Sequence, residues 1–117
     1  MLTLPSSVRI FLAAGVTDLR KSFDTLSGVV REALGEDPLS GHLFLFCNRH
    51  RDRLKILYFD GSGLWVFAKR LEKGTFSWPA GGEERRVEWR APEMALLLGG
   101  IDLSRARKRG WYRRDSA

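Results

Sequence analysis

Arg53-Leu-Lys-Ile-Leu-Tyr-Phe-Asp-Gly-Ser-Gly-Leu-Trp-Val-Phe-Ala-Lys-Arg70 decides the fold class. Leu54, Ile56 and Tyr58 alternate with Lys55, Leu57 and Phe59, the period of two that an extended chain imposes on its faces. Asp60-Gly61-Ser62-Gly63 supplies residues that tolerate positive φ, and a second strand-like run follows from Leu64 to Leu71. The stretch predicts two antiparallel strands, Arg53–Asp60 and Leu64–Leu71, joined as a hairpin.

Upstream, His42 to Cys47 sets Leu43, Leu45 and Cys47 against Phe44 and Phe46, the pattern of a strand covered on both faces. Asn48 to Asp52 is a polar connection. Before it, Leu19, Phe23, Leu26, Val30 and Ala33 or Leu34 recur at spacings of four and three, which predicts a helix capped by Thr17 or Asp18 and ended by Gly35. Val8 to Ala13, rich in branched and aromatic types, predicts a first strand. Downstream, Thr75–Trp78 and Arg85–Arg90 read as short strands, and Pro92 and Gly99 bracket a short helix. Connections read as too short for a parallel crossover predict antiparallel neighbours throughout. The expected architecture is a single α+β domain: a meandering, mainly antiparallel sheet with one long helix packed on a face and a short C-terminal helix.

The 117 residues, 44% of them apolar, suit one folded domain, and no run approaches the roughly 18 apolar residues of a membrane span. The first residues lack the pattern of a signal peptide, and one cysteine, Cys47, cannot form an internal disulfide. A soluble cytoplasmic protein is expected, with no membrane partner. The net charge of +6 is unevenly placed: residues 42–82 and 102–117 each carry +4, and the two remaining parts −1 each. Residues 1–103 are expected to form the folded domain and 104–117 a basic tail.

Metal-dependent cleavage of nucleic acid needs two or three converging carboxylates. Asp18, Asp24, Asp60 and Glu72 are candidates, but none has a defining spacing, and turn, cap and salt-bridge roles explain them as well. His42, Cys47 and His50 fall short of the four ligands of a closed site. No catalytic residue, metal or cofactor is assigned. The basic blocks are more informative. Arg49, Arg51, Arg53 and Lys55 fall at a period of two and, if extended, project to one side as a ribbon along a phosphate backbone; Lys69 and Arg70 on the next strand extend it. Arg107, Lys108 and Arg109, near Trp111 and Tyr112, suit an arm that orders on nucleic acid. Trp65, Trp78 and Trp89 fall inside strand patterns and are expected in the core or on a sheet face rather than as ligand platforms.

Six segments in order, Val8–Gly15, Thr17–Asp24, Asp37–Phe44, Asp52–Leu57, Asp60–Gly63 and Lys69–Pro79, with Leu96–Asp102 after them, resemble the small TnpB-type accessory proteins of IS66 insertion sequences. Those are distinct from the RNA-guided nucleases that share the name. The resemblance covers about Leu4 to Asp102. Asp18, Arg20, Lys21, Asp60, Gly61, Gly63, Lys69, Arg70, Trp78 and Pro79 match its characteristic positions, while Phe59 stands where Trp is frequent. It implies participation in transposition and DNA recombination beside a separate transposase that carries the catalytic acids. The expected function is a non-catalytic accessory factor that binds DNA through the basic hairpin and assists the transposase. The alternatives are a module that binds the transposase without touching DNA, and a metal-dependent nuclease. Oligomeric state is not legible.

Overall fold

The computed structural model describes residues 7–20 and 22–99. In chain order they form β1 (Ile10–Ala13), α1 (Phe23–Glu32), β2 (Leu43–Cys47), β3 (Arg53–Phe59), β4 (Leu64–Arg70), β5 (Arg86–Trp89) and α2 (Ala91–Leu98). The five strands make one mixed sheet in the order β4-β3-β2-β1-β5. The hairpin falls where alternation and turn residues put it, with Phe59 opposite Leu64 and Arg53 opposite Arg70.

The pairing at the centre corrects the antiparallel expectation. β1 and β2 run parallel, Ile10 beside Leu43 and Leu12 beside Leu45. Their connection, residues 14–42, contains α1 and exceeds the dozen residues that a crossover needs. β5 does not continue the meander but returns antiparallel to the free side of β1, pairing Ile10 with Trp89 and Ala13 with Arg86. All of β1 and β2 is therefore buried on both faces. Phe11, Phe44, Phe46 and Leu57 pack beneath Leu26 and Val30 of α1. On the opposite face Leu12, Leu45, Leu54 and Ile56 meet Met94 and Leu97 of α2 together with Phe76 and Trp78.

Two further expectations are corrected. The first helix begins at Phe23, not near Thr17 or Asp18, and Ser22 makes no side-chain cap bond. The Thr17 N–H donates to the Cys47 carbonyl at 2.9 Å, tying this segment to the end of β2, while Leu19 reaches the core without being helical. The helix is thus ten residues long, and Phe23 stays 45% exposed. Gly35 does take the left-handed conformation expected of it, with φ +65°, and the Glu36 N–H closes onto the Val30 carbonyl. Thr75–Trp78 is irregular rather than a strand. Its Phe76 N–H bonds the Arg51 carbonyl at 2.7 Å, which carries the chain past the β2–β3 turn and buries Phe76 and Trp78.

This passage ends in a latch on β1. The Trp78 indole N–H donates to the buried Ala13 carbonyl at 3.0 Å, and the Gly15 N–H donates to the Pro79 carbonyl at 2.9 Å. Gly15 sits at φ +81°, and a Cβ there would stand 3.1 Å from the Cα of Gly81. Backbones approach this closely only through glycine. Trp78→Phe removes the indole donor to the buried Ala13 carbonyl and is expected to cost about 1–3 kcal/mol in urea denaturation. Trp78→Ala, which also opens a cavity, is expected to cost about 3–5 kcal/mol.

Candidate nucleic-acid interface

Past the residues that α1 covers, the sheet face changes character. Leu57, Leu64 and Val66 belong to the α1-side core, but the next positions on that face are Lys55, Ala68, Arg53 and Arg70. With the loop bearing Leu19 and Arg20 they line a cleft of about 640 Å³, which Lys69 and Glu72 also border. The Lys55 ammonium, half-buried, donates to the Leu19 carbonyl at 2.7 Å and joins strand to loop. Arg20 makes a paired contact with Asp18, its Nε and Nη2 lying 3.0 and 2.8 Å from the carboxylate oxygens. Arg70 leans on Glu72 at 3.2–3.3 Å. Arg53 stands exposed directly opposite Arg70, an arrangement of like charges that is destabilising on its own.

The structure brings together only part of the proposed ribbon. Arg53, Lys55 and Arg70 share the α1 face; Lys69 lies on the other, where its ammonium donates to the Leu98 carbonyl at the end of α2. Arg49 and Arg51 are exposed on a tight turn rather than in an extended run. The Asn48 side-chain oxygen accepts from the Asp52 and Arg53 N–H groups at 3.1 and 3.0 Å, and Arg51 takes φ +59°. The amide of Asn48 also holds the Asp52 carboxyl below its ordinary range. Arg107, Lys108, Arg109 and Lys21 lie outside the described residues.

The remaining candidates serve the framework. Asp60 Oδ1 accepts from the Ser62 and Gly63 N–H groups at 2.8 and 2.9 Å and from the Ser62 hydroxyl, and Oδ2 accepts from the Trp65 indole at 2.7 Å. These donors hold its carboxyl far below the ordinary range, the Trp65 bond first among them. Gly61, at φ +102°, completes the turn with Gly63. Cys47 is fully buried, and burial pushes its thiol up to about 11, so it is protonated at neutral pH. Among the described residues no three His, Cys, Asp or Glu side chains are grouped as a metal site, and no helix is long and apolar enough to cross a membrane.

A family model described as IS66 Orf2-like protein matches residues 8–108. The chain belongs to that family. Two similar proteins come from Sinorhizobium fredii strain NGR234. One, y4hO, is 39% identical over 102 residues, covering 87% of this chain and 88% of the relative; the other, y4jC, is 33% identical over 102 residues, covering 87% and 86%. No solved structure matches. The IS66 Orf2-like family implies a transposition-associated accessory role.

Within this IS66 Orf2-like chain, the positions singled out by resemblance divide by location. Arg20, Lys69 and Arg70 border the cleft, Asp18 holds Arg20, Asp60, Gly61 and Gly63 build the hairpin turn, and Trp78 and Pro79 form the latch on β1. Of the three strand tryptophans, Trp65 lies on a sheet face, 50% exposed and stacked against Phe67 on the edge strand, while Trp78 is core and Trp89 half-buried. The only sequence signal for this was the alternation of Trp65, Phe67 and Lys69 along one face.

Asp60→Asn keeps an oxygen for the turn amides but sets an NH2 group against the Trp65 N–H. In urea denaturation the variant is expected to be less stable than the parent at pH 7, with the gap constant down to about pH 5. Because the folded carboxyl lies below its ordinary value of 3.8, the gap narrows as the pH falls from there toward the depressed folded value. A gap that does not change with pH contradicts this assignment.

Proposed function

We propose that the protein is a non-catalytic accessory factor of transposition that holds DNA in the cleft between the Asp18–Arg20 loop and the β3–β4 hairpin, beside a separate transposase. The observation that carries this reading is the facing pair Arg53 and Arg70 with Lys55 and Arg20 beside them. Glu72 and Asp18 offset only part of that charge. A phosphate backbone relieves the repulsion between Arg53 and Arg70 and releases its own condensed counterions. The cations sit on two strands and a loop, with no helix among the described residues presenting base-reading side chains there, so the contact is to phosphates and carries little sequence preference.

A second reading, contact with the transposase by strand addition, is favoured by the outer edge of β4, which has no neighbouring strand among the described residues.

DNA affinity measured by fluorescence anisotropy is expected to fall steeply with salt. Arg53→Gln/Arg70→Gln is expected to weaken binding about tenfold or more at low salt and to reduce the slope of log K against log salt by about two. Arg31→Gln, a change on the exposed side of α1, serves as the control and leaves binding close to that of the parent. Salt-independent binding, or binding untouched by the double substitution, contradicts the cleft as the DNA site.

A further inference from the structure

We infer that Trp65 and Phe67 form a stacking platform for unpaired bases, so that the DNA taken at the β4 edge is single-stranded; this rests on the DNA-binding reading above and specifies its ligand. Five large apolar side chains are exposed among the described residues: Val16, Phe23, Leu39, Trp65 and Phe67. Trp65 and Phe67 differ from the others in standing together. They lie two residues apart on one face of the edge strand, their rings within 5° of parallel and their centroids 5.8 Å apart.

Three features suit this pair to a nucleobase. First, the Trp65 ring is held in place before any ligand arrives: its N–H is bonded to Asp60, whose own oxygens are fixed by the turn. The polar edge of the indole is thereby satisfied and half of the side chain stays open, so little ordering cost remains on binding. Second, charge continues along the same strand. Lys69 follows Phe67 on the aromatic face, about 7 Å further at the rise of a β-strand. Its bond to the Leu98 carbonyl uses one of three N–H groups and leaves two for a phosphate. Arg70 follows on the cleft face, so a sugar–phosphate chain rounding the β4 edge passes from the platform to Arg70 and Arg53. Third, aromatic rings displayed on a sheet offer bases a π-face without reading their edges, which suits a site lacking base-specific donors. In a duplex each base face is already covered by its neighbours in the stack. Only an unpaired base has a face to lay on Trp65 or Phe67.

The test uses the full chain with two labelled probes of equal length, about twenty nucleotides: single-stranded oligo-dT and a duplex. Phe67→Ala removes a ring that makes no hydrogen bond, and Trp65→Tyr keeps an aromatic face in case Trp65→Ala disturbs the Asp60 turn. Circular dichroism confirms that each variant is folded. Phe67→Ala is expected to weaken oligo-dT binding about tenfold and duplex binding less than about twofold, with Trp65→Tyr retaining most of the affinity. Two results overturn the inference while leaving DNA binding in place: oligo-dT affinity unchanged in Phe67→Ala, or equal losses on both probes. If the parent protein binds neither probe at about 50 mM salt, the underlying DNA reading has failed and the platform falls with it.

Discussion

Burial of β1 on every side is the constraint from which the rest of the structure follows. Its four residues are packed between layers above and below and hydrogen-bonded to a strand on each flank. Neither flank is a tight hairpin partner, because the chain leaves β1 through α1, comes back parallel to it as β2, and reaches its other side only at β5. α1 supplies one cover, and α2 with Phe76 and Trp78 supplies the other. The Trp78 indole, by bonding the Ala13 carbonyl, satisfies a buried acceptor at the end of the strand and ties the second cover to it.

That arrangement dictates where charge can stand. β1 and β2 have no face open to water, so among the described residues strand cations are confined to β3, β4 and β5. On β5, Arg86 and the neighbouring Arg9 are committed to Glu36 and Glu88. On β3 and β4 the cover of α1 ends before Lys55 and Ala68, and the sheet corner opens into the basic cleft. The same topology makes β4 an edge, with Trp65 and Phe67 on one face and Arg70 on the other.

Legibility from sequence followed how local the causes were. The hairpin was readable because alternation from Leu54 to Phe67 and the turn around Gly61 are local, as were Gly35 ending α1 and Pro92 opening α2. The parallel pairing was not, since nothing within Val8–Ala13 or His42–Cys47 states which strand lies beside which. The start of α1 was misplaced because Leu19 is apolar and core-facing whether helical or held by the nearby bond from Thr17 to Cys47. Phe76 and Trp78 have the composition of a strand, yet their segment finds its bonds outside the sheet. At the site, the charge of residues 42–82 was evident from composition. The split of Arg49 and Arg51 from Arg53 was not, because a non-glycine residue at positive φ leaves no mark in the sequence.

The central claim is that nucleic acid meets this fold at the β3–β4 corner. Amide chemical shifts followed by NMR during titration with DNA at low salt test it most directly. The account predicts that the largest shifts fall on Arg20, Arg53, Lys55 and Ala68–Arg70, with Arg86–Trp89 and the exposed side of α1 unmoved. Shifts centred on β5 or on α1, or none at all, would contradict it.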